Sequence, residues 1–455
     1  MNRPLSVGQE AMWFIHRLAP ESAAYNVTLG VRVHAPLADD RLVRAVAAVE
    51  GRHDPLRSVI VEIDGKPVRR VLPAAAGGTL RLVEAPGAAD DRVRELARRA
   101  AAEPFGLLAG DRPFRVVLVR SAPADALLVI TAHHIAADAP SLFLILRDLL
   151  LAYRTDTSLP PLRLTFDDYV TRERQLLASG RAARMARHWS AVQAGATAAR
   201  LPGDRLTPAR PGYTGDTCPF HTAPGFAPRL RRAAAALGVT PFAYLLGAFQ
   251  AMLHRSTGES DLLIGTAVAL RGLPGLRDTV GYMVNTVPLR ASFDPGDTLV
   301  HAVTAANEQV RQGLAYAGYP YPLMDRPGTD RTPLFRITFT MIAVDRMPVS
   351  LPPVPAGAAE GPVSDHGGLP VSYVELPQQE GQFDLSVELR AGDTALSGVF
   401  RYDNEILDRA TVEDLADRFV RFADRAVATP QARVADLPLL DAAGLDRLLA
   451  FGGVG

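Results

Sequence analysis

Cysteine is almost missing from this chain: Cys218 is the single one among 455 residues. An intramolecular disulfide is therefore impossible, a cysteine-rich metal site is excluded, and the cytoplasm is the expected compartment. Excess charge is missing as well. Lys+Arg and Asp+Glu both number 49, so the formal net charge is zero. That balance argues against bulk nucleic-acid binding and against an anionic membrane surface. Long hydrophobic runs are absent: Ala126 to Ala132 and Leu142 to Ala152 are too short to span a bilayer. No basic start leads into an apolar h-region, so no secretion signal is expected.

What is present is an ordinary globular composition, with 48% hydrophobic and 22% charged residues and no signature of disorder. The length exceeds one ordinary core and predicts two domains or lobes. Ser6 and Gln9 form a capping-box pattern that opens a helix, with Met12, Ile15 and Leu18 on one face and Trp13 and Phe14 as core. Asp39 or Asp40 starts a second helix with Leu42, Val43, Val46 and Val49 as its buried stripe. Leu127 to Ala132 reads as a buried strand, and Pro140 is placed for the first turn of a core helix over Ser141 to Arg154. Ser179 to Gly215 is expected to cross between lobes, and Thr240-Pro241 opens a helix to about His254. Strand-like runs follow at Leu262 to Leu270, Val284 to Ala291, Leu334 to Val344, Phe383 to Arg390 and Leu396 to Tyr402. Ala391-Gly392-Asp393 is the expected turn of the last hairpin. A helix follows from Thr411 to about Val427, and Pro348 to Gly368 is expected to be an excursion.

The halves share an outline. Leu127 to Arg154 runs strand, turn, long helix, and Gly398 to Val427 does the same, with Tyr402-Asp403-Asn404 where the first half carries His133-His134. Adjacent residues of an extended chain point to opposite faces. Of His133 and His134, one should therefore face a cavity and the other the protein body; His134, nearer the strand mouth, is assigned to the cavity. A histidine delivered there suits proton handling in acyl transfer, although many histidines only satisfy core hydrogen bonds. Asp138 is placed either to cap the next helix or to pair with a cation, for which Arg290 is the candidate. Asn285, polar in an apolar segment, lines a channel or satisfies a strand bend. Arg52, His53 and Arg57 are expected to hold helix carbonyls and lobe contacts. Cys218 is read as a small buried hydrophobe.

His133-His134-Ile135-Ala136-Ala137-Asp138-Ala139 resembles the HHxxxDG motif of nonribosomal peptide synthetase condensation domains. Further segments carry the resemblance along the chain in the family's order. Leu5 to Trp13 is similar to the opening motif, Arg52 to Arg57 to RHExLR, and Phe166-Asp167-Asp168-Tyr169 to the segment centred on a D-Y pair. Val280 to Arg290 is close to IGxFVNTxPLR, Tyr319 to Leu323 resembles the YPFE-type segment with Pro322 where an acid is common, and Asp330 to Phe335 follows the late PLF motif. The DxxxxD of heterocyclising relatives, the HRxxxDD of oxygenase-recruiting ones, the EGHGRE-like segment of epimerising ones and the DFGWG of plant-type acyltransferases are not found; Gln382 to Ser386 stands nearest the last. One departure is Ala139, which replaces the motif's closing glycine. Were that backbone at positive φ, alanine would cost on the order of 1 kcal/mol; were it beside a pantetheine arm, the methyl would narrow the channel.

The resemblance implies an α/β fold of two chloramphenicol-acetyltransferase-like lobes in a V-shaped pseudo-dimer with a central channel. It assigns an N-terminal lobe over 1–178, a C-terminal lobe over 179–440 with a floor near Leu270 to Arg290 and a latch crossing back, and a linker over 441–455. It implies amide-bond formation between a carrier-bound acyl or peptidyl thioester donor and a carrier-bound aminoacyl acceptor. The implied catalytic group is His134, with His133 and Asp138; Arg290, Asn285 and Ala139 are the implied ion-pair or channel residues. Arg17 is a candidate for a pantetheine phosphate. No intrinsic cofactor and no metal are expected, since substrates arrive on the phosphopantetheine of donor and acceptor peptidyl carrier proteins. An adjoining adenylation domain, entered after a short helix over Asp441 to Phe451, and a monomeric isolated domain complete the expectation. The alternatives are an ester-forming or free-amine-accepting enzyme and a non-catalytic carrier-docking platform.

Overall fold

The computed structural model describes residues 2–439 except 75–78, 157, 202, 206–213, 273–274, 325–333, 343–346, 356–357 and 377–382. The expected helix over Asp441 to Phe451, Asp330 to Pro333 of the PLF segment and Gln382 lie outside the described residues. In chain order the first half runs β1 (Asn2–Pro4), α1 (Val7–Leu18), β2 (Asn26–Val33), α2 (Asp39–Arg52), β3 (Ser58–Ile63), β4 (Lys66–Val71), β5 (Leu80–Glu84), α3 (Asp90–Ala102), β6 (Phe114–Ala122), β7 (Asp125–His133), α4 (Ala139–Thr155) and α5 (Phe166–Leu177). The second runs α6 (Gly180–Gln193), β8 (Gly215–His221), α7 (Phe226–Ala236), α8 (Pro241–Thr257), β9 (Asp261–Ala269), β10 (Val284–Ser292), α9 (Leu299–Tyr316), β11 (Ile337–Ile342), β12 (Ser364–Asp365), β13 (Pro370–Val374), β14 (Leu385–Ala391), β15 (Leu396–Asp403) and α10 (Arg409–Ala428).

Two six-stranded sheets carry the architecture, ordered β12-β13-β2-β7-β6-β5 and β10-β9-β11-β14-β15-β8, beside a small sheet β1-β4-β3. Four neighbouring strands of each sheet repeat one plan. In the first sheet β5 runs parallel to β6, which is antiparallel to β7, which is antiparallel to β2. In the second, β11 runs parallel to β14, then β15 and β8 follow antiparallel. The halves' similar outline is therefore a duplicated strand topology.

Strand β7 reads as a continuous apolar run because both its faces are covered. Leu128, Ile130 and Ala132 join a core with Val46 and Val49 of α2 and Ile145 and Leu149 of α4. Leu127 and Val129 face α3 through Val93 and Ala97. The second sheet buries one face on α8, α9 and α10, where Phe249, Phe339, Phe400 and Phe419 pack together; residues of alternate parity, among them Thr338, Ser386, Glu388 and Arg401, line a cavity.

Among the described residues, two of the connections between the halves bear on the site. Strand β13 adds to β2 with Val371 opposite Val33, so a segment from late in the chain extends the first sheet. Residues 275–283, ahead of β10, fold under α4: Thr279 Oγ1 donates to Leu164 O at 2.7 Å, and Gly281 N–H donates to Ser141 Oγ at 3.1 Å. Glycine is required there, since a Cβ on Gly281 would run into the ring of Phe166.

The N-terminal helix departs from its expected face. The capping box of Ser6 and Gln9 is present, but the buried stripe is Gln9, Met12, Trp13 and His16. Phe14 and Leu18 are 58% and 60% exposed and Ile15 is half-buried. The stripe follows i, i+3, i+4, i+7 spacing but runs through two polar residues, which an apolar count passes over. In α2, Val43 is likewise only half-buried, while Leu42, Val46 and Val49 are buried.

Candidate active site

The β7–α4 turn presents the two histidines differently, as alternation demands. His133 is 2% exposed. Its ring packs edge-on to His16 at 5.3 Å between centroids and near Tyr25 and Phe105, and its Nδ1 accepts from Ile135 N–H at 3.1 Å. Burial holds its pKa well below the ordinary imidazole value, with repulsion from His16 and His134 adding to the effect. His134 is half-buried and lines the cavity. The turn is held from both sides: His134 N–H donates to Tyr25 O at 2.7 Å, and Gln9 Nε2 of α1 donates to Ile135 O at 2.7 Å.

His134 Nδ1 lies 2.8 Å from the Ala137 carbonyl oxygen. A carbonyl only accepts, so the neutral ring carries its proton on Nδ1 and leaves the Nε2 lone pair as the acceptor. Burial lowers the pKa of this ring, and the nearby Asp138 charge only partly offsets it. The result is a neutral base near pH 7 on the wall of a cavity of about 600 Å³. Both sheets contribute to that wall, with Val27 and Leu29 from β2 and Thr338 and Ser386 from β11 and β14.

Asp138 performs both roles considered for it, but with a different cation. It is the N-cap of α4, accepting from Ser141 N–H at 3.1 Å. It also receives a two-pronged ion pair from Arg271 of the underlying loop, at 2.5 and 2.6 Å, and a hydrogen bond from Met283 N–H at 3.1 Å. Burial pushes the carboxyl up, but the Arg271 charge and hydrogen bonds outweigh it and hold it below the usual range. Arg290, the expected partner, is elsewhere: on β10 it grips Asp261 at 2.9 and 2.6 Å and the carbonyls of Val192 and Ala194 at the end of α6. Asp261 begins β9, whose neighbour is β10, so this pair is local to one sheet edge. Arg271 lies in none of the motif segments and 133 positions from Asp138; its signal in the sequence is its place in the expected floor, just beyond β9.

Asn285 holds the turn that follows α9 and not a bend of its own strand. Its Nδ2 donates to Ala317 O and Tyr319 O, both at 2.8 Å, and its Oδ1 accepts from Tyr321 N–H at 2.9 Å, so the amide is spent although the residue borders the cavity. Ala139 also borders the cavity, and it is absent from the non-glycine residues at positive φ; no left-handed strain attends the alanine. Arg17, in the last turn of α1, pairs with Glu62 at 2.8 Å on an exposed surface. Arg57 holds Glu50 O of α2 at 3.0 Å as expected, whereas Arg52 and His53 meet the buried Asp148 of α4, both at 2.7 Å. Cys218 is buried in the second core. Among the described residues no cluster of His, Cys, Asp and Glu could hold a metal ion, and no single helix is long and apolar enough to cross a membrane.

Two α/β halves of duplicated strand plan share one cavity, on whose wall His134 stands. A family model described as Condensation domain matches residues 2–449, and the chain belongs to that family. It is similar to phosphinothricin tripeptide synthetase PhsC of Streptomyces viridochromogenes, with 30% identity over 96% of this chain and 40% of the relative. It is also 26% identical to tyrocidine synthase 3 of Brevibacillus parabrevis, over 98% of this chain and 7% of the relative. The chain thus spans less than half the length of these relatives. Among solved structures it matches the X-domain from teicoplanin biosynthesis with a TM-score of 0.82 and 25% identity, covering 96% of this chain and 97% of that one. A four-domain nonribosomal peptide synthetase bound to AMP and glycine gives a TM-score of 0.83 at 21% identity, over 97% of this chain and 34% of that one. The fold is that of the two-lobed, chloramphenicol-acetyltransferase-like condensation domains.

Proposed function

We propose that this domain forms an amide bond between a carrier-bound acyl or peptidyl thioester and the amine of a carrier-bound aminoacyl group. The observation that carries the reading is the Nδ1–H of His134 fixed on the Ala137 carbonyl, which leaves Nε2 as a base on the cavity wall. The donor thioester is already activated, and an α-amine has a reference pKa of about 7.7–8.0. A useful fraction is neutral near pH 7, so orientation supplies much of the rate; effective molarities for well-oriented groups reach about 10⁵–10⁸ M. As the amine nitrogen bonds to the donor carbonyl carbon, His134 Nε2 takes its proton. The C–S bond then breaks, and the departing pantetheine thiolate recovers a proton from the imidazolium. Asp138 acts through position: with Arg271 and Met283 N–H it pins the start of α4 and the end of the histidine turn.

In this reading residues 1–178 form the lobe that supplies the histidines and residues 179–440 the lobe that supplies the floor and the crossing strand. Residues 441–455 lead toward an adenylation domain, and the isolated domain is a cytoplasmic monomer. Carriers deliver both substrates, and Arg17, displaced from Glu62, meets a pantetheine phosphate. The test uses adjoining carrier domains loaded with donor and acceptor, with condensed product followed by intact-protein mass spectrometry. Wild type should yield product, and His134→Ala should slow it by about 10²–10⁴-fold. Carrier binding without product from wild type would favour a docking platform instead.

A further inference from the structure

Tyr282 stands beside His134 in the cavity, ring edge to ring face, with 5.1 Å between centroids. It follows Gly281 in the loop beneath α4, at the position the IGxFVNT pattern leaves open. Its place is built by α1: a Cβ on Gly8 would stand 2.6 Å from Tyr282 Cε1 and 3.1 Å from Cδ1, so the helix admits the ring only because that residue is glycine. A phenol placed this way can fix the imidazole plane by packing alone, or it can offer its hydroxyl to whatever His134 acts upon.

The surrounding polar groups decide between these. Ser141 Oγ is held by Asp138 and Gly281 O. The Asn285 and Asn26 amides are spent on backbone carbonyls, and Tyr169 O–H donates to Glu173 at 3.4 Å. In the first turn of α4, Pro140 has no N–H, Ser141 N–H is taken by Asp138, and Leu142 N–H by the Asp138 carbonyl. The Tyr282 hydroxyl makes no hydrogen bond among the described residues and is not one of the buried unpaired atoms, so it is open to the cavity. Burial, reinforced by the negative charges of Asp138 and Glu173, pushes the phenol well above its ordinary pKa, which keeps it protonated. A neutral donor, fixed before the reaction begins, is what a developing oxyanion requires.

Resting on the amide-forming reading above, we propose that the Tyr282 hydroxyl donates a hydrogen bond to the donor thioester's carbonyl oxygen as the amine adds to it. Attack at carbon moves the carbonyl electron pair onto oxygen, where Tyr282 O–H meets it. The amine proton goes to His134 as the C–N bond forms; collapse then returns that pair and expels the thiolate, which is protonated by the His134 imidazolium. Tyr282 keeps its own proton throughout, so the step balances without another reactant.

Tyr282→Phe keeps the ring, its fit against Gly8 and its edge contact with His134, and deletes only the hydroxyl. The experiment measures single-turnover condensation on loaded carriers for wild type and Tyr282→Phe, with melting temperatures beside them. The expected result is a fall on the order of 10²-fold in the chemical step at an unchanged melting temperature, with donor-carrier binding retained. A Tyr282→Phe rate equal to wild type would overturn the proposal and leave the ring as packing. Gly8→Ala gives a second arm, because it displaces the ring and leaves the hydroxyl in the chain. It should slow wild type strongly yet add little in the Tyr282→Phe background; an equal slowing in both backgrounds would count against the proposal. Product formed by wild type in the same assay separates failure of this idea from failure of the condensation reading.

Discussion

The β7–α4 turn and the β15–α10 turn are one piece of backbone used twice. His133 and Asp403 end their strands, each carbonyl accepts an N–H from the turn that follows, and Asp138 and Asp408 are the N-caps of the next helices. Asn404 thus stands where His134 stands. The surroundings differ. Asp138 is 1% exposed and clamped by Arg271 from the other half. Asp408 is exposed, makes no side-chain cap, and pairs with Arg205 at the surface. The motif becomes a site only where the opposite half closes over it.

Substitutions at the paired positions would break this comparison most visibly. Asp138→Ala leaves Arg271 buried without its counter-charge, a loss of about 3–5 kcal/mol. Asp408→Ala removes an exposed pair worth about 0–1 kcal/mol. Thermal melting of the two variants should separate them clearly, and equal shifts would remove the distinction between the turns. A double-mutant cycle sharpens the assignment of partner. Asp138→Ala and Arg271→Leu should be strongly non-additive, whereas Asp138→Ala and Arg290→Leu should add to within about 0.5 kcal/mol.

Acidity should act on the two turns with opposite sign. His133 and His134 have folded pKa values below the unfolded value of about 6.5, so below that pH the unfolded chain binds more protons and stability falls. Asp403 is raised by burial; its contribution is present at low pH and is lost as pH rises through its folded value. A stability–pH profile of wild type against His133→Gln should show the acid-side loss shrink in the variant. The same lowering at His134 places the acid limb of the turnover profile below 6.5, checked by pH-dependent single-turnover rates. The smallest effect belongs to Ala139→Gly. With no left-handed backbone to relieve, it should lower helix stability by up to about 1 kcal/mol and not raise it, as thermal melting would show.

Much of this was legible because local rules govern it. Capping at Ser6, the Pro140 helix start, the buried strand before His133 and the opposed directions of the two histidines follow from spacing and alternation. Phe14 and Leu18 were misplaced because α1 buries Gln9 and His16, polar residues that an apolar stripe omits. Arg271 was missed for a different reason: which cation reaches Asp138 depends on how a loop folds under α4, a tertiary fact that motif order does not carry. Arg290 sat in a recognisable segment, yet strand pairing gave it to Asp261.

The most direct test exchanges the residues that distinguish the two turns. His134→Asn gives the first turn the second's side chain, and Asn404→His does the reverse, with condensation on loaded carriers read by intact-protein mass spectrometry. His134→Asn should lose about 10²–10⁴-fold in rate, while Asn404→His should keep wild-type turnover. Full turnover by His134→Asn would show that the imidazole is not the base of this reaction.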